Sequence, residues 1–220
     1  YVVDAGNVTF TYNGEVIGIA TISNGEATIY VVFNHTIDKG IITATYVDDR
    51  EGEAQIFNGS KGSNENTGKT KIEKGVANIT AVAVPDHGVP GVDSLVNITV
   101  WDNNTGLPIN GTVTIDGTTV EIKDGKGNYT YPITVDTSRD GTTLTAVFSS
   151  PDYNKVSDTV TIGRDLIPTT TVVSPVDGMV GVSTTVIANV TSSNGYVVDA
   201  GNVTFTYNGE VIGIATISNG

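Results

Sequence analysis

Ten asparagines stand two residues before a serine or threonine, the acceptor pattern for N-linked glycosylation. The chain has 19 Asn and 46 Ser or Thr in 220 residues, so about four such triplets would arise by chance. Strand alternation combined with abundant threonine also generates these triplets without any modification. Glycosylation is therefore a hypothesis that requires a secreted protein, and its candidate acceptors are Asn7, Asn34, Asn58, Asn78, Asn97, Asn103, Asn110, Asn128, Asn189 and Asn202. In four of these triplets an apolar residue expected to face inward stands between the asparagine and the threonine, so we expect both polar side chains to face solvent. These triplets begin at Asn7, Asn97, Asn189 and Asn202.

Two acidic clusters could supply oxygen ligands to calcium. They are residues 48–53 (DDREGE) and 136–140 (DTSRD). Neither matches an Asp-x-Asp-x-Asp-Gly calcium loop, and an arginine inside each cluster opposes a cation. We therefore predict no cofactor and interpret both segments as solvated loops, with calcium as the alternative.

Lysines and histidines offer little further chemistry. An isopeptide bond needs a lysine whose pKa is lowered by an apolar neighbourhood, and the candidates near domain edges are Lys71, Lys74 and Lys155. No known pattern is matched, so we interpret them as surface lysines. His87 lies in a Pro/Gly-rich segment expected to turn between strands, and His35 lies at the entry of a loop. Since no nucleophile, zinc-protease or phosphate-loop motif is present, we predict that the chain is not an enzyme.

Composition narrows the class of protein. Hydrophobic residues make up 38% of the chain, charged residues only 16%, and the net charge is −13. That charge argues against nucleic acid as a partner, because phosphates would be repelled. The chain has no cysteine and no apolar run of about 20 residues, so neither a disulfide framework nor a membrane-inserted segment is expected. No signal peptide opens the chain at Tyr1, which suggests a segment internal to a longer precursor.

Alternation of apolar and polar residues with period two predicts short β-strands throughout. The alternating apolar positions are Val8, Phe10, Tyr12; Ile98, Val100; Val113, Ile115; Val120, Ile122; Tyr129, Tyr131, Ile133, Val135; Leu144, Ala146, Phe148; Val160 and Ile162. Pairs suited to tight hairpin turns separate many of them: Asn13-Gly14, Asn24-Gly25, Asp116-Gly117, Asp124-Gly125 and Asp140-Gly141. Trp101, the only tryptophan, shares the parity of Thr99 and should point outward or cap one end of a domain. Residues 61–74 are expected to form a flexible, locally basic loop.

A long internal repeat is the strongest feature of the sequence. Residues 1–25 recur without one difference at residues 196–220, which gives a period of 195 residues and indicates a tandem array. A weaker similarity relates residues from 84 onward to residues from 174 onward, and another relates residues 127–148 to residues 25–46. One period therefore contains two related domains. We predict that residues 76–165 form a complete domain, residues 1–75 the C-terminal part of a split domain, and residues 166–220 the N-terminal part of its next copy.

The motifs in the first 46 residues resemble the bacterial Ig-like repeat family. That family's pattern is carried here by Gly6, Val8, Thr9, Phe10, Gly14, Ile17, Gly18, Ala20, Ile22, Gly25, Ala27, Gly40, Ile42, Ala44 and Tyr46. Residues 76–165 fit it less well: Ile115 replaces the phenylalanine, although the closing stretch around Ala146 and Phe148 is kept. The resemblance implies immunoglobulin-like β-sandwiches from large adhesin-like surface proteins of bacteria or methanogenic archaea. The acidic, cysteine-free composition is most similar to the archaeal group.

These features together predict an all-β chain of immunoglobulin-like sandwiches arranged in a linear array. The expected function is that of an extracellular stalk or filament on the cell surface, which extends and supports cell attachment. Its expected partners are neighbouring copies of the same repeat, head to tail, and a cell surface or glycan. Two alternatives remain open: a pilus of non-covalent subunits that exchange strands, and a module that binds glycans directly. Each half of the split domain should expose an unpaired edge and an uncovered core face.

Overall fold

A computed structural model describes all residues from 1 to 220, and it confirms that the chain is all-β. It contains 18 strands, one 3-10 turn at Gly52–Ala54 and no α-helix. Residues 1–75, the N-terminal unit, contain β1 (Asn7–Tyr12), β2 (Glu15–Thr21), β3 (Ile37–Gly40), β4 (Ile42–Val47), β5 (Ser60–Ser63) and β6 (Thr70–Ile72). Residues 76–165, the central unit, contain β7 (Ala77–Val84), β8 (His87–Gly88), β9 (Asp93–Asp102), β10 (Gly111–Ile115), β11 (Thr118–Ile122), β12 (Lys126–Pro132), β13 (Thr142–Ser149) and β14 (Val156–Arg164). Residues 166–220, the C-terminal unit, contain β15 (Thr169–Val173), β16 (Ala188–Ser192), β17 (Asn202–Tyr207) and β18 (Glu210–Thr216).

The central unit is built from two packed sheets. One sheet has the order β11-β10-β13-β14-β8 and the other β12-β9-β7. Strand alternation buries every second residue of β7 and β9, so that one face of the smaller sheet meets the larger sheet and the other faces solvent. The inward residues of both sheets form one cluster of 17 buried apolar side chains. The largest fully buried ones are Phe148, Ile98, Ile115, Ile122 and Ile133.

The two flanking units have almost no buried core. Val8 and Ile37 are the only buried apolar residues of the N-terminal unit, and Val190 is the only one of the C-terminal unit. The N-terminal sheet has the order β2-β1-β4-β5, which repeats the order β11-β10-β13-β14 of the central unit. The N-terminal unit therefore has the larger sheet of a sandwich, but its only other sheet is the short β3–β6 pair, and it has no equivalent of the β9–β7 strands that cover the larger sheet in the central unit.

The duplicated segment folds the same way at both ends of the chain. β1 pairs with β2 and β17 with β18 in equivalent registers, and each hairpin has a register shift directly after its phenylalanine, Phe10 or Phe205. Both residues of the Asn13-Gly14 turn have positive φ, as a tight hairpin requires. The local sequence thus determines this hairpin whatever lies beside it.

Three local expectations were wrong. Residues 61–74 include β5 and β6, which pair with β4 and β3, rather than one flexible loop. His87 is not in a turn, because it forms β8 and pairs in parallel with Gly163. Asp140 does not have positive φ, so Asp140-Gly141 belongs to a longer loop between β12 and β13.

Candidate interaction surfaces

Three of the acceptor asparagines lie on one face of the central unit. Asn78 of β7, Asn97 of β9 and Asn128 of β12 occupy outward positions of the three-stranded sheet, and Asn97 lies directly opposite Asn128. Trp101 also lies outward on this face, half-buried and bridged to Pro108. The parity expected for Trp101 is thus confirmed, and the outward face carries a group of acceptor triplets.

The remaining acceptor triplets are spread over loops and hairpins. Those in loops are exposed: Asn34, Asn58, Asn103 and Asn110. Asn189 and Asn202 are exposed on β16 and β17. The expectation that both polar residues of the triplet face solvent holds at Asn97, Asn189 and Asn202, whereas Asn7 is half-buried.

Hydrogen bonds distinguish the half-buried acceptors from the exposed ones. N-glycans attach to the side-chain nitrogen, and Asn7 donates this Nδ2 to Asp49 Oδ2 at 3.0 Å. Asn78 donates its Nδ2 to Asn103 Oδ1 at 2.8 Å. Asn202, the copy of Asn7, keeps only the bond that its Oδ1 accepts from a threonine hydroxyl. Asn7 and Asn78 would therefore have to break a hydrogen bond before modification.

The first calcium candidate, residues 48–53, is organised around an ion pair. The buried Asp48 carboxylate accepts two hydrogen bonds from the Arg50 guanidinium, at 2.6 and 2.8 Å. It also accepts backbone N–H groups of Arg50, Ile56 and Phe57 at 3.1–3.2 Å. The Arg50 guanidinium, followed by these N–H groups, holds the pKa of Asp48 well below its usual range. Both oxygens of Asp48 thus anchor the loop.

The second calcium candidate, residues 136–140, is ordered by hydrogen bonds from backbone N–H groups to hydroxyl groups of the loop. The buried Thr137 side chain accepts the Thr134 N–H at 3.0 Å, and Arg164 Nε donates to the Thr137 carbonyl at 3.0 Å. The arginine that orders this loop comes from β14, which the sequence pattern did not indicate.

The candidate lysines lie on the surface. Lys71 is exposed and pairs with Glu73, Nζ to Oε1 at 2.6 Å. The glutamate raises the pKa of Lys71, which favours the charged form over the neutral nucleophile that an isopeptide bond needs. Lys74 and Lys155 are also exposed.

A contact between the N-terminal and central units involves His35. Its Nδ1 lies 2.9 Å from Asp152 Oδ2, while Thr36 donates both its N–H (2.8 Å) and its hydroxyl (3.0 Å) to Asp152 Oδ1. His35, followed by the Thr36 N–H, lowers the pKa of Asp152. On the other side of the central unit, Asn194 Nδ2 donates to the Pro90 carbonyl at 2.9 Å. Sequence reasoning missed both junctions, since contacts across 104 and 117 residues leave no local pattern.

An open apolar groove marks the inner face of the N-terminal sheet. It measures about 680 Å³ and is lined by residues of β1, β2 and β4 and by the segment 27–33. The apolar side chains at its floor and rim include Phe10, Ile17, Ala44, Ile29, Val31 and Phe33. Apolar side chains of this sheet thus line an open groove, while the division into half-domains stays a prediction. The segment 27–33 itself was missed, although its alternating apolar residues were a readable strand pattern.

Comparison of the chain with known protein families and with curated proteins finds no match. The structure also contains no helix long and apolar enough to cross a membrane.

Proposed function

We propose that the chain is part of a tandem-repeat stalk or filament of an adhesin-like protein, located outside the cell and attached to its surface. In this proposal immunoglobulin-like sandwiches follow one another head to tail, each contacting its neighbours, and the array extends an attachment site away from the cell.

The observation that carries the proposal is the duplicated hairpin. Two identical segments, 195 residues apart, form the same hairpin in the same register on either side of a sandwich with its own core. Polar contacts of the central unit with the units before and after it, at Asp152 and at Pro90, support modules that contact their neighbours. The repeated sheet order supports related modules.

The acceptor triplets support an extracellular, glycosylated surface. Asn97 and Asn128 lie side by side on an outward face without aromatic side chains other than Trp101. This face exposes Val82, Val84 and Leu95 beside the asparagines but has no aromatic cluster. It therefore suits a stalk better than a flat glycan-binding platform, which uses exposed aromatic residues.

The test is the mass of the native protein under denaturing conditions, combined with peptide mapping. We expect a mass of many 195-residue units, with glycan on Asn97 and Asn128 at higher occupancy than on Asn7 and Asn78. A peptide pair lighter by one ammonia would reveal an isopeptide bond. A mass close to one unit would overturn the covalent array.

A pilus of separate, strand-exchanging subunits is the second candidate, and the open groove of the N-terminal unit is the observation that favours it. The same mass measurement separates the two, since such subunits would each weigh about one period.

A further inference from the structure

The segment 27–33 lies over the N-terminal sheet as a strand without partners. Ala27, Ile29, Val31 and Phe33 are half-buried, whereas the residues between them are exposed. No backbone N–H or C=O of residues 27–34 takes part in a backbone hydrogen bond. Exposed strand edges of this kind are templates for another strand.

The central unit shows what completes such a segment. β12 occupies the corresponding place: it follows an Asx-Gly turn after β11, just as segment 27–33 follows Asn24-Gly25 after β2. β12 is paired along its whole length, from Lys126 to Pro132, with β9, and β9 in turn pairs with β7. Segment 27–33 packs on the sheet beneath it in the same manner, since Ile29 lies against Gly18 of β2 and Phe33 lies edge-on to Tyr12. What the N-terminal unit lacks is the equivalent of the β7–β9 hairpin.

The C-terminal unit contains that hairpin. β15 and β16 pair with each other but belong to no larger sheet. Val190 of β16 donates its N–H to the Gly220 carbonyl at 2.9 Å, and Val100 of β9 makes the same bond to Gly125 at 2.8 Å. Gly220 is the copy of Gly25. The bond to Gly220 therefore shows how the β15–β16 hairpin lies relative to a glycine in the position of Gly25, two residues before segment 27–33.

We infer that the β15–β16 hairpin of a second copy of this repeat pairs with residues 26–33 and fills the groove of the N-terminal unit. This inference rests on the proposed head-to-tail arrangement of copies. The bond between Val190 and the glycine fixes the register by analogy with β9 and β12: Asn189 lies opposite Glu26, and Ile187 opposite Thr28. Two further pairs, Ala188 with Ala27 and Val186 with Ile29, then face the groove.

The inward and outward residues of the two edges agree in this register. Val186 and Ala188 are half-buried and alternate with exposed Ile187 and Asn189, so the apolar side of the hairpin matches the apolar side of the segment. Val173, opposite Ala188 on β15, is 54% exposed and would be covered on the same face. Burial of these side chains together with the groove lining is the driving force.

The duplicated residues do not oppose the pairing. When a donor hairpin docks, its β17–β18 and the acceptor's β1–β2 compete for one place beside β4. Because the two segments are identical, exchanging one for the other leaves their own contacts unchanged to first order. The newly covered groove and the newly paired edge remain as the net gain. In a chain of several periods, residues 196–220 of one period are residues 1–25 of the next, so a single hairpin lies beside β4 and no exchange is needed.

Cysteine pairs in the full chain test the register, since the chain has no cysteine of its own. The Thr28→Cys chain is mixed with the Ile187→Cys chain under mild oxidation. Because each variant carries a single cysteine, no disulfide can form within one molecule. As off-register control, Thr28→Cys is mixed with Ser183→Cys, four residues and about 13 Å further along the strand. As geometric control, Asn97→Cys/Asn128→Cys places two cysteines at directly paired positions inside the central unit and should close intramolecularly.

We expect the Thr28–Ile187 mixed disulfide to exceed the off-register product by about tenfold, because bridged Cα atoms must lie within about 7 Å. Displacement of residues 1–25 should also make them susceptible to protease in the cross-linked dimer. Equal yields from the two mixtures, or no dimer while the geometric control closes, would overturn the pairing. If the native mass is many units but the cross-link does not form, the stalk is retained and the pairing is rejected. If the cross-link forms but the native mass is one unit, the pairing is retained and the covalent stalk is rejected.

Discussion

Truncating Ile98 tests whether the core of the central unit lies between its two sheets. Ile98 is 1% exposed on β9, the middle strand of the smaller sheet. Ile98→Ala deletes three carbon atoms, worth about 2.4 kcal/mol at roughly 0.8 kcal/mol per buried methylene. If about 70 Å³ of the space stays empty, the cavity adds about 1.7 kcal/mol. The expected loss in free energy of unfolding is about 4 kcal/mol.

Urea denaturation followed by tryptophan fluorescence measures this loss selectively, because the only tryptophan, Trp101, lies on the same strand. At a slope of about 2 kcal/mol per molar urea, the midpoint should fall by about 2 M. The matched control is Thr99→Ala, an exposed neighbour whose midpoint should move by less than about 0.3 M. Equal shifts in the two variants would refute the assignment of β9's inward face to the core.

Two further predictions concern buried or shared carboxylates. Asp48→Asn should speed tryptic cleavage within residues 48–57, because it weakens the anchor of that turn, whereas exposed Glu51→Gln should not. Since folding lowers the pKa of Asp48, the ionised carboxylate stabilises the folded chain fully above about pH 4, and this contribution is lost as the pH falls further. If the free energies of unfolding of wild type and Asp48→Asn differed as much in strong acid as at neutral pH, this reasoning would be wrong. In the wild type the amide N–H of residue 36 donates to the Asp152 carboxylate. Asp152→Asn should therefore accelerate hydrogen exchange of that amide and weaken the contact at His35. Exposed Asp86→Asn is the control, and unchanged exchange in Asp152→Asn would show that the junction does not depend on the carboxylate.

Much of the local structure could be predicted from the sequence because it depends on neighbouring residues. Alternation identified β1, β9–β11, β13 and β14, and four of the five Asx-Gly pairs expected between strands, such as Asp116-Gly117, have positive φ at both residues. Ile133 is buried as its parity suggested, yet it lies beyond the end of β12 at Pro132, where the chain leaves the sheet.

Contacts between distant residues could not be predicted in the same way. Nothing near Asp152 in the sequence indicates that it accepts hydrogen bonds from residues 35 and 36, and nothing near β14 indicates that Arg164 orders the loop at Thr137. The acidic cluster at Asp48 was interpreted as solvated because charge counts do not reveal burial. Its arginine, which we took only as an argument against calcium, is the partner that makes burial of the carboxylate tolerable.

The identical hairpins separate what local sequence determines from what the surroundings add. β1–β2 and β17–β18 share register and turns, yet Val8 is buried at 8% exposure while its copy Val203 is only half-buried. β1 has β4 beside it, whereas β17 has no strand on its second edge. The hairpin within the 25-residue duplicated segment therefore keeps its hydrogen bonds without a neighbouring strand, but its valine is buried only where β4 lies beside it. Of the three units only the central one, residues 76–165, has an extensive buried core, whereas the N-terminal unit keeps an open groove and an unpaired segment at 27–33.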